Sequence, residues 1–160
     1  MCDNKFLDKY RIQSSRATWH HYDGGVYFVT ICTRNHIHYF GEISDGQMRL
    51  SSMGEIVCAN IMDIPFHVSN VDIPLYAVMP NHVHLVVAIS GVEKGTTTLG
   101  SVIRGFKAGV TKRAKENHFS FQWQSRYYDR IVRSQEELNR VGEYITNNVV
   151  KWDLECNHDH

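Results

Sequence analysis

The chain has 160 residues, 42% of them apolar, with 17 basic residues balancing 17 acidic ones. That length suits a single domain, residues 1–160, and buries a core without staples. Zero net charge excludes binding driven by bulk positive charge, so any anion-binding surface must be local.

No N-terminal apolar run resembles a signal peptide, and no stretch reaches the roughly 18 apolar residues of a membrane span. A cytoplasmic protein with no membrane partner is therefore expected. The four cysteines are scattered and form no C-x-x-C pair, so no cysteine zinc site is expected.

Residues 1–24 are polar and patternless and read as an N-terminal arm. The core, residues 25–152, follows the Gly24-Gly25 breaker. "VYFVTICT" (26–33) is β-branched and aromatic, as a buried strand requires. "HYFGEISDGQMRLS" turns at Asp45-Gly46, a hairpin signal. Ser52 with Glu55 three residues on forms a capping-box pattern, and Pro65 is a breaker, which predicts a helix over 53–64. "VDIPLYAVM" (71–79) and "HVHLVVAI" (82–89) are apolar strands split by Pro80-Asn81, hence antiparallel neighbours. Apolar residues at 99, 103, 106 and 110 mark a helix to about 116. "YYDRIVR" (127–133) alternates as a strand. Ser134 and Glu137 then open a last helix striped by Leu138, Val141, Ile145 and Val149.

Without the hairpin and the last helix, this order is βαββαβ. The fold class is α+β: a ferredoxin-like antiparallel sheet with helices on one face, a small hairpin and an appended C-terminal helix.

His82 and His84 open a long apolar strand from a turn. Side chains alternate along a strand, so both rings point to one face, with Cα atoms roughly 6–7 Å apart. Such a pair can lean onto one metal ion, or can be two rim histidines satisfied by hydrogen bonds. The pattern leaves both open. Two further pairs, His36 with His38 and His158 with His160, begin no long apolar strand and are expected to bind nothing. A histidine-triad nucleotide hydrolase needs a third alternating histidine; Val86 stands there, which rejects that reading.

Tyr144 and Asn148 share a face of the last helix. On pattern alone, the tyrosine could rest its ring on the core, and Asn147-Asn148 could end the helix.

Taken together, "GGVYFVTICTRN", "YAVMPNHVHLVV", "LGSVIRGFKAGVTKRAKE" and "WQSRYYDRIVRSQEELNRVGEYITNN" resemble the single-tyrosine HUH transposases. Within that family they are most similar to the REP-associated tyrosine transposases. The matching blocks cover most of 24–152 in the family's order. The resemblance implies that His82, His84 and Asn148 bind a divalent ion, Mg²⁺ or Mn²⁺, with zinc an open alternative. It implies that Tyr144 attacks a phosphate of single-stranded DNA carrying hairpin or palindromic repeats. The product would be a 5′-phosphotyrosine with a free 3′-hydroxyl, and the working unit a monomer or homodimer. Tyr127 and Tyr128 are rival nucleophiles. One departure stands out: relatives often carry Asn-Pro where this chain has Asn148-Val149, so its helix can run further.

A local anion-binding surface is expected on the helix over 99–116. Arg104, Lys107, Lys112, Arg113 and Lys115 follow one another there with no acid before Glu116. Of these, Arg104, Lys107, Lys112 and Lys115 are the candidate DNA contacts, with Trp123 and Arg126 in the next loop placed to stack on or bond to unpaired bases. Besides the transposase reading, two others fit the sequence: a non-catalytic DNA or RNA hairpin-binding module, and a phosphoesterase acting on a small nucleotide.

Overall fold

The computed structural model describes residues 25–91 and 97–156; the expected arm at 1–24 and the histidines at 158 and 160 lie outside the described residues. Strand β1 (Gly25–Cys32) leads through a 3₁₀ turn at Arg34–His36 into the hairpin β2 (Gly41–Ser44) and β3 (Gln47–Leu50). Helix α1 (Ser52–His67), strands β4 (Val71–Met79) and β5 (His82–Ile89), helix α2 (Leu99–Glu116), strand β6 (Tyr128–Val132) and helix α3 (Gln135–Cys156) follow. The main sheet is ordered β4-β5-β1-β6, with every neighbouring pair antiparallel. This is the ferredoxin-like order expected from βαββαβ, with β5 and β1 in the centre and β6 on an edge.

The two sheet faces carry different helices. Tyr76 lies opposite Leu85, on the face reached by α1, where Cys58 Sγ stands 4.0 Å from the Tyr76 hydroxyl. Helix α2 lies on the same face, beside α1, and Arg113 reaches Asp63 across the pair at 3.6 Å. The alternate residues of β5, beginning with His82 and His84, face α3. Both faces of β5 are therefore covered, and Val83 through Ile89 are all buried. The appended C-terminal helix thus forms a second layer against the sheet.

Three local details depart from the sequence reading, each for a physical reason. The α1 cap is Ser51, one residue before the one expected: its Oγ accepts the Gly54 N–H at 3.0 Å. Pro65 does not end α1. Its missing N–H removes one bond in the final turn, but Val68 N–H still reaches the Ile64 carbonyl at 3.0 Å, closing the helix beyond the proline. Helix α2 opens on a Thr98–Ser101 capping box, in which each side chain accepts from the other's backbone N–H at 3.1 and 3.2 Å. The short Ser at the third position hid that signal. Among the described residues, no helix is long and apolar enough to cross a membrane.

The hairpin joins this core through close backbone contact. Gly54 in α1 is buried against the Phe40 carbonyl, and a Cβ at Gly54 would overlap that oxygen. Alanine favours a helix over glycine by about 1 kcal/mol, but backbone cannot rotate out of a clash. Gly54→Ala should therefore lower stability by a net ~1–3 kcal/mol, read as a lower midpoint in urea unfolding with an unchanged slope.

Candidate active site

His84 is the most buried polar ring on the α3 face of the sheet, 3% exposed in a strand that is apolar apart from it and His82. A buried imidazole needs partners, and this one has them on three sides. Thr30, its register partner on β1, places Oγ1 3.0 Å from His84 Nδ1. Asn148 of α3 places its amide nitrogen 2.8 Å from His84 Nε2. His82 Nε2 lies 3.2 Å from the same atom.

These contacts orient both rings. The Asn148 carboxamide faces His84 Nε2 and the Thr30 hydroxyl faces its Nδ1. Asn81 Oδ1 accepts from His82 Nδ1 at 2.7 Å, which leaves the His82 Nε2 lone pair free. The two Nε2 atoms thus converge at 3.2 Å with the Asn148 side chain beside them. Two neutral imidazoles, each oriented by a hydrogen bond through its other nitrogen, with an amide oxygen available from Asn148, form a donor set that suits a divalent metal. Among the described residues, no three His, Cys, Asp or Glu side chains cluster as a metal site.

Electrostatics keep the pair neutral. Burial lowers the His84 pKa to about 3, with the charge of His82 adding to the effect. Burial also lowers His82 to about 4, assisted by His36. Free lone pairs thus persist through the neutral range.

Tyr144 stands one helical turn before Asn148 on α3. Its ring centroid lies 5.6 Å from that of His84 and 6.0 Å from that of Phe28, edge-on to both. The side chain is 48% exposed, so it borders the site rather than the core. Neither rival tyrosine occupies this position: Tyr127 is half-buried near Gly100 at the start of α2, and Tyr128 is on the exposed edge strand.

Helix α3 does not stop at Asn148. With valine at 149 it continues to Cys156, and Trp152 falls on the same stripe one turn later. The Trp152 ring lies 6.0 Å from His82 and 5.4 Å from His38. His36 and His38, not expected to form a metal site of their own, stand beside this one. Sequence reasoning also missed Thr30, Asn81 and Trp152. Asn81 was readable only as half of a turn, although a polar residue just before a histidine pair is a natural orienting partner.

The candidate DNA contacts are not gathered here. Arg104, Lys112 and Lys115 are exposed, but α2 covers the opposite face of the sheet. Lys107 is folded back, donating to the Gln124 carbonyl at 2.8 Å, and burial lowers its pKa. Trp123 is half-buried in a cluster with Phe40, Phe106 and Phe121, and its indole N–H donates to the Lys107 carbonyl at 3.2 Å. Arg126 is exposed on the loop leading to β6.

A sequence profile described as "Transposase IS200 like" matches residues 52–148, from the start of α1 to Asn148. The chain belongs to the IS200-like transposase family. It is 35% identical over 148 residues to a Haemophilus influenzae protein of unassigned function, covering 81% of this chain and 82% of that one. Its fold is similar to that of a REP-associated tyrosine transposase bound to a REP hairpin, with a TM-score of 0.62 at 20% identity over 80% of this chain and 68% of the other. A candidate transposase from Deinococcus radiodurans gives a TM-score of 0.51 at 15% identity, over 76% and 88%. The family match ends on the residue whose amide meets His84.

The depressed histidine pKa values have a consequence in metal-free protein. The unfolded chain protonates both rings below about 6.5, whereas the folded chain resists until about 4 for His82 and about 3 for His84. The unfolded state therefore binds more protons in that window, and stability falls as pH drops from about 6.5. Each ring contributes at most one proton, or ~1.4 kcal/mol per pH unit. Urea unfolding in EDTA at a series of pH values between 6.5 and 4.5 should show a shallower slope for His84→Gln than for the wild type.

Proposed function

We propose that this transposase cuts and rejoins single-stranded DNA in a metal-dependent reaction through a covalent bond to Tyr144. One observation carries the reading: α3 brings Tyr144 and Asn148 together over the converging Nε2 atoms of His82 and His84. His82, His84 and Asn148 would hold Mg²⁺ or Mn²⁺, which when bound supplies positive charge to neutralise and polarise the scissile phosphate. Thr30 and Asn81 keep both imidazoles turned towards it.

The Tyr144 oxygen attacks the phosphorus as the bond to the 3′ oxygen breaks. The phenol proton leaves to solvent, which the half-exposed side chain reaches, and the departing 3′ oxygen takes up a proton. The products are a 5′-phosphotyrosine and a free 3′-hydroxyl. One phosphate ester replaces another, so reversal by a 3′-hydroxyl rejoins strands without ATP. The REP hairpin held by the structural relative supports folded, palindromic single strands as the substrate class. The histidines and the tyrosine helix meet within one chain, which supports a site completed in cis by a monomer.

Incubation with a palindromic single strand and Mn²⁺ should yield a protein–DNA adduct that survives denaturation. Tyr144→Phe should abolish it, because the ring remains while the attacking oxygen is gone. His82→Ala and His84→Ala should each abolish it too. Asn148→Ala should leave adduct only at higher Mn²⁺, with a loss of about 10–100-fold. A pure packing role for Tyr144 would instead cost ~1 kcal/mol of stability and leave the adduct intact. Mixing Tyr144→Phe with His82→Ala should restore nothing if the site is completed in cis. Restored adduct would mean that the tyrosine helix serves a partner chain. A wild type that binds hairpins yet forms no adduct with any metal would point to the non-catalytic binding module.

A further inference from the structure

A trough runs between the edge strand β6 and helix α3 and ends at the site. Its inner part is lined by Phe28, Thr30, Tyr128, Arg130, Arg140 and Tyr144. Its outer part shares Arg130 and Arg140 and continues to Arg133. The trough is thus bordered by the attacking tyrosine and by the threonine that orients His84.

Its charge is positive and largely uncommitted. Three guanidiniums face two carboxylates, Asp129 and Glu137, and Glu137 already accepts the Arg133 backbone N–H at 2.8 Å. Arg113 pairs with Asp63 on the opposite face of the sheet, whereas among the described residues none of the three trough arginines is held in such an ion pair. The Arg130 guanidinium sits 5.7 Å over the Phe28 ring, and Phe28 in turn packs on both His84 and Tyr144. That ring fixes the cation beside the nucleophile. Tyr128 is 62% exposed at the same margin, a flat aromatic surface with no core to cover.

Guanidiniums take phosphate oxygens in a bidentate fork, and an exposed aromatic ring stacks on an unpaired base but has no access to one inside a duplex. Resting on the function proposed above, we infer that this trough is the track for the single strand flanking the scissile phosphate. Arg130 and Arg140 hold adjoining phosphates and Tyr128 stacks on a base. No sequence pattern points to it, because Arg130 and Arg140 are ten residues apart, in different elements, with acids between them.

The test is the binding of a fluorescent oligothymidylate, measured by anisotropy in EDTA over a series of salt concentrations. The double variant Arg130→Gln/Arg140→Gln should flatten the log–log salt slope by about 1.4, from ~0.7 for each lost phosphate contact on single strands. Arg130→Lys/Arg140→Lys should keep most of the slope, which separates lost charge from a damaged fold. Tyr128→Ala should weaken binding roughly tenfold with the slope unchanged. Arg104→Gln/Lys112→Gln on α2 should leave the slope near the wild-type value. A wild-type slope in the Gln double variant, with the α2 variant flattened instead, overturns the trough and leaves the proposed reaction standing. Equal affinity for a duplex of the same length overturns single-strand selection by the trough. Adduct formation measured in parallel keeps the two readings distinct: its absence in the wild type counts against the reaction, whereas the slopes decide the trough.

Discussion

A polar ring in the middle of an apolar strand is the constraint around which this molecule is arranged. His84 is almost wholly buried in β5, and an unpaired imidazole there would cost more than most single contacts contribute. Its ring needs a partner at each nitrogen, and no residue of β5 other than His82 can approach from the same face. The remaining partners must come from other elements. Thr30 arrives through the β1–β5 register, and Asn148 through the docking of α3. Moving either register by one residue would put an apolar or wrong-facing side chain at a ring nitrogen. The same contacts that satisfy the buried ring thus hold the geometry of the candidate site.

This explains why α3 packs where it does. The ferredoxin-like core already has α1 and α2 on one face, and without α3 the other face would expose Val86 and Ala88 of β5 together with the histidine pair. The apolar stripe of α3, from Leu138 to Val149, covers this sheet face, while Tyr144, Asn148 and Trp152 flank the stripe along the histidines. Burial draws the helix in, and the polar contacts set its rotation. The first is large and nondirectional, the second small and directional.

Most of the fold was legible in the sequence, because its signals are local. Strand alternation, Pro80-Asn81 and the Asp45-Gly46 turn predicted the strands and hairpins to within a residue or two, and βαββαβ predicted the sheet order. The histidine pair was legible as a pair, and Tyr144 with Asn148 as a shared helix face. That His84, Tyr144 and Asn148 meet is a relation between elements 60 residues apart, which periodicity cannot express; only the family resemblance suggested it. Charge is the signal whose position in the fold the sequence leaves open. The run of basic residues on α2 is conspicuous in sequence, yet its helix lies across the sheet from the tyrosine. Arg130 and Arg140, unremarkable in sequence, converge because an edge strand and a helix run side by side. Lys107 and Trp123 have structural partners as well: the Lys107 ammonium donates to the Gln124 carbonyl, and Trp123 donates to the Lys107 carbonyl and packs in the aromatic cluster behind the hairpin.

The tyrosine beside His84, the asparagine whose amide meets it and the tryptophan beside His82 occupy positions 144, 148 and 152 of one uninterrupted helix. They therefore move as a rigid unit with a single rotational setting. Adding one residue between Ser134 and Tyr144 would turn the whole set by about 100° and carry all three groups off the histidines together. A substitution at one of them removes one function; a change of length upstream removes every one at once. The same added residue in the β2–β3 turn would lie at an exposed loop tip, where extra length is tolerated. Length, not residue identity, is thus the least forgiving property of this segment, and drift in the chain should accumulate as insertions in the hairpin and as substitutions, never insertions, between Ser134 and Trp152.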